Sequence, residues 1–538
     1  MIFGETPIDA AEGAILAHSL RAGKLVFKKG RVLSPDDIAA LRDAAIDTVV
    51  AARLEDGDVV EDAAATRVAA ALSGINLSAS AAFTGRVNLF AEQRGILVVD
   101  PILEDLNRVD EAVTAATLPA WSLVEPKQMA ATIKIIPFAV PEAVIARCET
   151  LAERPEGLLR VMPLQAKTVG FIQTRLAGTK DSVLDKTHAV LDARLQALES
   201  TLKREIRCAH DSAEVTQAIR ACLDDGCDMV LIAGASAITD RRDVIPAAIE
   251  AAGGEIDHFG MPVDPGNLLM LGHIGPASAV GLPGCARSPK FNGVDWVLQR
   301  LCADIPIARD DIMAMGVGGL LKEMTGRPQP RASAPDDVDV AKAPRIACVI
   351  LAAGQSRRMG RTNKLLATID GKPMVRWAAE AALASAADPV LVVVGHEAEK
   401  VRAALADLPV IFVENPDYAA GISTSVRRGV AALKAGIDGV AVCLGDMPRI
   451  SAGQIDRLIA AYDPVEGRAL CIPTWRGKRG NPVLIGSRFF TELQEITGDV
   501  GARPLISQYP ELICEVDMGD DAVLLDIDTP QALEALGS

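Results

Sequence analysis

Residues 349–374 read VILAAGQSRRMGRTNKLLATIDGKPM, an apolar run that breaks abruptly into glycine and positive charge. Between positions 354 and 364 stand Gly354, Arg357, Arg358, Gly360, Arg361 and Lys364. A short aliphatic run closed by glycine fits a buried strand, ending here near Leu351. Gly354 then falls in a strand-to-helix turn, and open α/β sheets bind ligands beyond the carboxyl ends of their strands. Backbone N–H groups in such a turn approach anionic oxygens closely, and the cations compensate the charge. Leu351, Ala352, Ala353, Gly354, Ser356 and Gly360 are therefore assigned to nucleotide phosphate binding. The competing reading is a solvated basic face after an ordinary turn, because glycine motifs recur by chance.

Two common phosphate loops do not fit. The Walker loop needs four residues between its glycines and then Lys-Ser/Thr, whereas five separate Gly354 from Gly360, and Arg361 and Thr362 follow. The dinucleotide fingerprint GxGxxG is absent from the loop.

Working outward, the runs RIACVILAAG, PVLVVVGH, LPVIFVEN and GVAVCLGD alternate with alanine-rich helical stretches over residues 345–538, the pattern of a doubly wound, Rossmann-like sheet. Residues 324–344, MTGRPQPRASAPDDVDVAKAP, carry four prolines and no apolar period, and read as a linker. Before it, residues 1–323 hold a second α/β signal at CDMVLIAGAS and a helix–strand–loop–helix pattern over 41–74. WSLVEP and ATIKIIPFAV read as strands, and a helical pattern runs from about Lys180 to Arg204. At 538 residues, with domains of about 150 residues, the chain is multidomain α/β.

Composition narrows the partners. A formal charge of -16 argues against nucleic acid and anionic membrane but permits a local basic pocket for a small anionic ligand. No apolar run of about 18 residues and no leader pattern is present, so a cytoplasmic protein is expected. Ten cysteines form no CxxC pair, and buried reduced thiols are favoured over structural zinc.

LAAGQSRRMG, NKLL and GKPM, followed in order by LGDMPRI (444–450), RGNPVLIG (479–486), TGDVGARPLI (497–506) and LLDIDTPQAL (524–533), resemble nucleotidyltransferases, particularly those acting on the molybdenum cofactor. The resemblance implies catalytic roles for Arg358, Lys364 and Asp446, with Asp446 and Asp528 holding Mg²⁺ against triphosphate oxygens. Asp446 could instead be a turn or capping residue, and Asp528 an ordinary N-cap before the last helix. Asn481, Pro482, Asp499, Arg503 and Ser423 would position the acceptor; Asn481 also reads as a turn residue, and Ser423 and Ser425 as helix caps. The AAG form of the loop, with Ala353, resembles the cytidylyltransferase branch more than the AGG guanylyltransferase branch, so CTP is expected ahead of GTP.

Residues 228–286 resemble the molybdopterin-binding domain shared by molybdopterin adenylyltransferases and molybdotransferases, through AGAS, an acid before a helix, AAGGEI, VDPGNLL and GLPG. This implies pterin binding by Gly234, Ser236, Asp243, Pro265, Gly266 and Gly284. The sequence departs from that family at 233–236 and at 285–286, which favours binding over retained catalysis there; Cys285 is either ligand-adjacent or an inert buried thiol. The expected partners are CTP or GTP, molybdopterin or its molybdenum form, a molybdoenzyme recipient and a second copy of the chain. A flexible tether of about 20 residues spans roughly 25 Å, so handover of the pterin between the two units is expected.

Overall fold

The computed structural model describes residues 1–22, 25–321, 343–355, 363–464, 467–496, 498, 501, 503–509 and 512–527. It is a multidomain mixed α/β protein built on several sheets. Residues 2–53 pack helix Pro35–Asp43, started by a capping box between Ser34 and Asp37, against a small antiparallel sheet. The pattern read over 41–74 appears as the end of that helix, strand Thr48–Arg53 and helix Glu61–Leu72.

Residues 75–163 form two antiparallel sheets, one ordered Val113–Thr117, Met129–Ile135, Arg86–Ala91, Leu77–Ala79, the other Leu123–Val124, Gly95–Val99, Leu159–Pro163. WSLVEP and ATIKIIPFAV contribute strands to them. The helical pattern from Lys180 to Arg204 is corrected. The helix spans Asp181–Ala197, Glu199 takes a left-handed turn at φ +58°, and Thr201–Ala209 is a strand at the sheet edge. Its lysine, arginines and glutamate suit a helix by propensity, but parallel pairing with Thr168–Arg175 prevails.

The second α/β unit is a six-stranded sheet. Thr201–Ala209, Thr168–Arg175, Met229–Ala233 and Ala277–Leu282 run parallel, and Met270–Ile274 and Glu255–Phe259 extend it antiparallel. The C-terminal unit is an eight-stranded sheet. All four strands read from the sequence are found in it: Ile346–Ala352 lies between Val390–Val394 and Gly439–Leu444, with Ile411–Glu414 outside, all parallel. These strands are almost continuously apolar because helices cover both faces. Val483–Gly486 joins antiparallel to Gly439–Leu444, so the sheet is mixed.

The two halves touch at the start of the parallel strands. Ala343 N–H donates to the Lys127 carbonyl at 2.9 Å, the Arg468 guanidinium lies 5.6 Å from the Phe83 ring, and Lys28 Nζ donates to the Ile513 carbonyl. A cavity of about 800 Å³ lies here, between Phe90 and Lys127 on one side and Arg345, Pro389, Ile411 and Tyr462 on the other. Arg31 also approaches the turn at Gly477, beyond the end of strand Leu470–Trp475. Among the described residues, no helix is long and apolar enough to cross a membrane.

Candidate active site

The carboxyl ends of the parallel strands gather the nucleotide-side residues. Ala352 and Ala353 are buried at the end of their strand, and Leu351 is half-buried. The Leu351 carbonyl accepts Gly445 N–H at 3.1 Å, which brings the LGD turn beside the nucleotide loop. A Cβ on Gly445 would lie 3.0 Å from that carbonyl and 3.2 Å from Leu365, so the close approach requires glycine. Gly354 is exposed, and among the described residues a methyl group on its Cα would meet nothing within 4 Å. Ser356, Arg358 and Gly360, with Arg357 and Arg361, lie outside the described residues.

The chain is described again at Asn363, which is buried. Its side-chain oxygen accepts Leu365 N–H at 3.1 Å and caps the short 3-10 turn Lys364–Leu366. That turn delivers Lys364 to Asp446, and the two side chains form an ion pair, 14% and 17% exposed. The lysine and the acid, far apart in sequence, are thus brought together. Ile527 N–H donates to the Asp446 carbonyl at 3.1 Å, so the chain leading to Asp528 runs against the same turn; Asp528 itself lies outside the described residues.

On the acceptor side, Pro482 is buried and Asn481 half-buried, with Asn481 N–H donating to the Val523 carbonyl at 2.9 Å. Ser423 lies in the first turn of helix Ile422–Ala431, is 1% exposed, and donates its hydroxyl to the Gly498 carbonyl. Ser425 accepts from the buried Asn415 amide at 2.9 Å. Both hydroxyls therefore join internal networks rather than facing open space. Arg503 is exposed at the start of helix Arg503–Gln508, and Asp499 lies outside the described residues. The Ala353 methyl packs toward Gly395.

The six-stranded sheet presents a comparable edge. Gly234 follows strand Met229–Ala233, and Gly284, exposed, follows strand Ala277–Leu282, which pairs with it in parallel. The Gly234 carbonyl accepts from Arg287 at 2.7 Å. Ser236 Oγ lies 3.0 Å from His210 Nε2, His210 Nδ1 lies 2.8 Å from Thr174 Oγ1, and Thr174 Oγ1 accepts Ala235 N–H at 2.7 Å. Asp243 caps helix Val244–Ala251, its oxygens accepting Val244 N–H at 2.9 Å and Thr239 N–H at 3.2 Å. The Pro265 carbonyl accepts Gly293 N–H at 2.8 Å, and buried Gly266 packs on Gly293. Burial pushes the Cys285 thiol up, which fits the inert thiol rather than a reactive one.

Sequence reasoning missed Asn363, Gly395, His396, Glu397, His210 and Thr174. The signal available was topological: each except Asn363, which caps the 3-10 turn at Lys364, lies in or just after a parallel strand near its carboxyl end. Among the described residues, no group of three or more histidine, cysteine or acidic side chains could hold a metal.

The C-terminal region has relatives among known proteins. Residues 348–512 match the MobA-like NTP transferase domain family, and residues 5–53 match a domain family of unknown function (DUF8806). The chain is 29% identical over 198 residues to nicotine blue oxidoreductase of Paenarthrobacter nicotinovorans, covering 36% of this chain and 97% of that protein. It is 30% identical over 203 residues to purine catabolism protein PucB of Bacillus subtilis (strain 168), covering 35% and 95%. Among solved structures, a nucleotidyl transferase from Methanothermobacter thermautotroptrophicus is 25% identical, covers 36% of this chain and 95% of its own, and superposes with a TM-score of 0.32. Through its C-terminal region the chain belongs to the MobA-like NTP transferase family.

Proposed function

We propose that this nucleotidyltransferase moves CMP from CTP to molybdopterin or its molybdenum form, releasing pyrophosphate. The observation that carries the proposal is the pairing of Lys364 with Asp446 beside a glycine turn at the carboxyl edge of a parallel sheet. A terminal phosphate oxygen of the acceptor attacks the α-phosphorus, and no covalent enzyme intermediate is needed. The protein's work is in-line positioning and neutralisation of charge on the α-phosphate and leaving group. Lys364 holds Asp446 before substrate arrives, and its flexible stem lets the ammonium turn to the phosphates. Arg358 supplies a second cation to the same oxygens. Asp446, together with Asp528, suits Mg²⁺, a hard cation that would neutralise triphosphate oxygens when bound. Asn481, Pro482, Asp499 and Arg503 position the acceptor, and Ser423 acts through its hold on Gly498.

In this proposal residues 345–538 are the transferase, 324–344 the linker and 1–323 a pterin-binding region, with Gly234, Ser236, Gly284 and the turn at Pro265 and Gly266 around the pterin phosphate. Support for the N-terminal assignment is the gathering of Gly234, Ser236 and Gly284 at one edge of the six-stranded sheet. Asp243 acts as a helix cap there. The preference for CTP rests on the AAG sequence alone, because the Ala353 methyl packs toward Gly395.

The test supplies purified protein and Mg²⁺ with molybdopterin, with and without molybdate, and CTP, GTP or ATP in turn, reading pyrophosphate and the mass of the pterin product. A CMP-sized gain is expected. A GMP-sized gain would correct the base, and pterin binding without pyrophosphate would make the protein a carrier instead.

A further inference from the structure

The contact between the two halves leaves a second, smaller cavity beside the one of about 800 Å³ at Phe90 and Tyr462. It measures about 190 Å³ and lies between Phe83 and Arg86 on one side and Arg468 on the other. Ser80, Ala81, Asn88 and Ala460 line both cavities, so the two adjoin. The larger volume falls within the roughly 300–1,000 Å³ of small-molecule sites, which are mostly apolar with a few placed polar groups. Its walls include Phe90, Leu383, Pro389, Ile411 and Ile459, and Ile411 is 50% exposed.

The smaller cavity is cationic. Arg86 and Lys134 stand directly opposite each other in antiparallel strands Arg86–Ala91 and Met129–Ile135, a register in which like charges destabilise a sheet. Lys134 Nζ donates to the Thr84 carbonyl and lies 3.9 Å from Glu61. Burial pushes the Glu61 carboxyl up to about 7, so near neutral pH it carries only part of its negative charge. Asp62 is engaged elsewhere, accepting Gly85 N–H at 2.7 Å. Arg468 adds a third cation, which donates to the Ala461 carbonyl at 2.9 Å and to Asp463 at 3.2 Å. Where the two cavities meet, Asn88 Oδ1 is buried with no hydrogen-bond partner among the described residues. An orphaned buried acceptor calls for a donor.

We infer that the two cavities form one binding site, built from both halves, for a small molecule in which an apolar ring system carries an anionic group. The rings lie against Phe90 and Ile411, the anion takes the place between Arg86 and Lys134 where it relieves their repulsion, and an N–H or O–H of the ligand meets Asn88. Ile346, Val390 and Ile411 line this site at the starts of their strands, whereas the nucleotide loop follows the far end of Ile346–Ala352. Occupancy is therefore independent of the transfer reaction.

The test titrates the full chain with anilinonaphthalene sulfonate, whose rings, N–H and sulfonate match the three features, and follows its fluorescence. One saturable site per chain is expected. Phenylnaphthylamine, the same molecule without its sulfonate, should bind about 10-fold more weakly, the size of one charge-assisted hydrogen bond. Arg86→Ala should weaken the sulfonate about 10-fold and leave the neutral amine within about 2-fold. Ala460→Trp, which fills the junction of the cavities, should remove saturable binding of both probes at an unchanged melting temperature. No saturable binding to the wild-type chain overturns the inference, as does wild-type binding by an Ala460→Trp variant that melts normally. Should that variant fail to fold, Arg86→Ala decides, because its side chain is exposed, and an unchanged affinity for the sulfonate overturns the inference.

Discussion

Two sheets in this chain present loops at the carboxyl ends of parallel strands, and each carries an aspartate that the sequence marks as functional. In the C-terminal sheet, Asp446 leaves its side chain beside Lys364, as an ion pair that an incoming anion and cation can exchange. In the six-stranded sheet, both Asp243 oxygens are occupied by backbone N–H groups at the start of a helix. What remains near Gly234 is the hydrogen-bonded chain Ser236, His210 and Thr174, with Arg287 on the Gly234 carbonyl. The same fold position thus carries an ion pair in one unit and a hydrogen-bonded side-chain network in the other. An acid at a strand end is informative only once its hydrogen-bond partners are known.

The largest effect should fall on the charged edge. Lys364→Ala should lower pyrophosphate release by about 10²- to 10³-fold, the scale of one lost electrostatic donor, with the melting temperature little changed. A fall of only a few-fold would place Lys364 with surface ion pairs and erase the contrast. His210→Ala removes the bridge between Ser236 and Thr174 at the other edge, and should weaken molybdopterin binding by about 3- to 10-fold, measured calorimetrically, without altering nucleotide affinity. Unchanged pterin affinity would move the ligand away from Ser236. The smallest effect is expected from Asp243→Ala, which should cost about 1 kcal/mol of stability through the lost helix cap and leave pterin affinity intact. If it abolished pterin binding in a folded protein, Asp243 would be a ligand after all, and the two edges would be alike.

Much of the C-terminal fold was legible because its strands are nearly continuous aliphatic runs. IACVILA, VLVVV and GVAVCL can be buried on both faces only in a helix-covered parallel sheet. The antiparallel Val483–Gly486 was less legible, since strand direction leaves no mark in an apolar run. The start of strand Thr201–Ala209, as far as Arg204, was misread as helix because an edge strand exposes one row of side chains and tolerates charge, so Lys203 and Arg204 resemble a helix surface.

The site divided in the same way. Lys364 and Asp446 were found from motifs and came together as an ion pair. Ser423 was read as an acceptor or phosphate contact, yet it is turned inward to Gly498, since a helix's first turn can face the core as readily as a ligand. His396 carried no sequence signal, because its N–H reaches the Ala353 carbonyl from a segment that only the parallel sheet makes a neighbour.

The central claim is that Lys364 and Asp446 act as one unit on a triphosphate. The most direct test is a double-mutant cycle of Lys364→Ala and Asp446→Asn, read by pyrophosphate release with Mg²⁺, CTP or GTP and molybdopterin. If the pair is the catalytic unit, the double variant should be little slower than the slower single variant. If the two losses instead multiply, the residues act independently, and the ion pair is not the core of the active site.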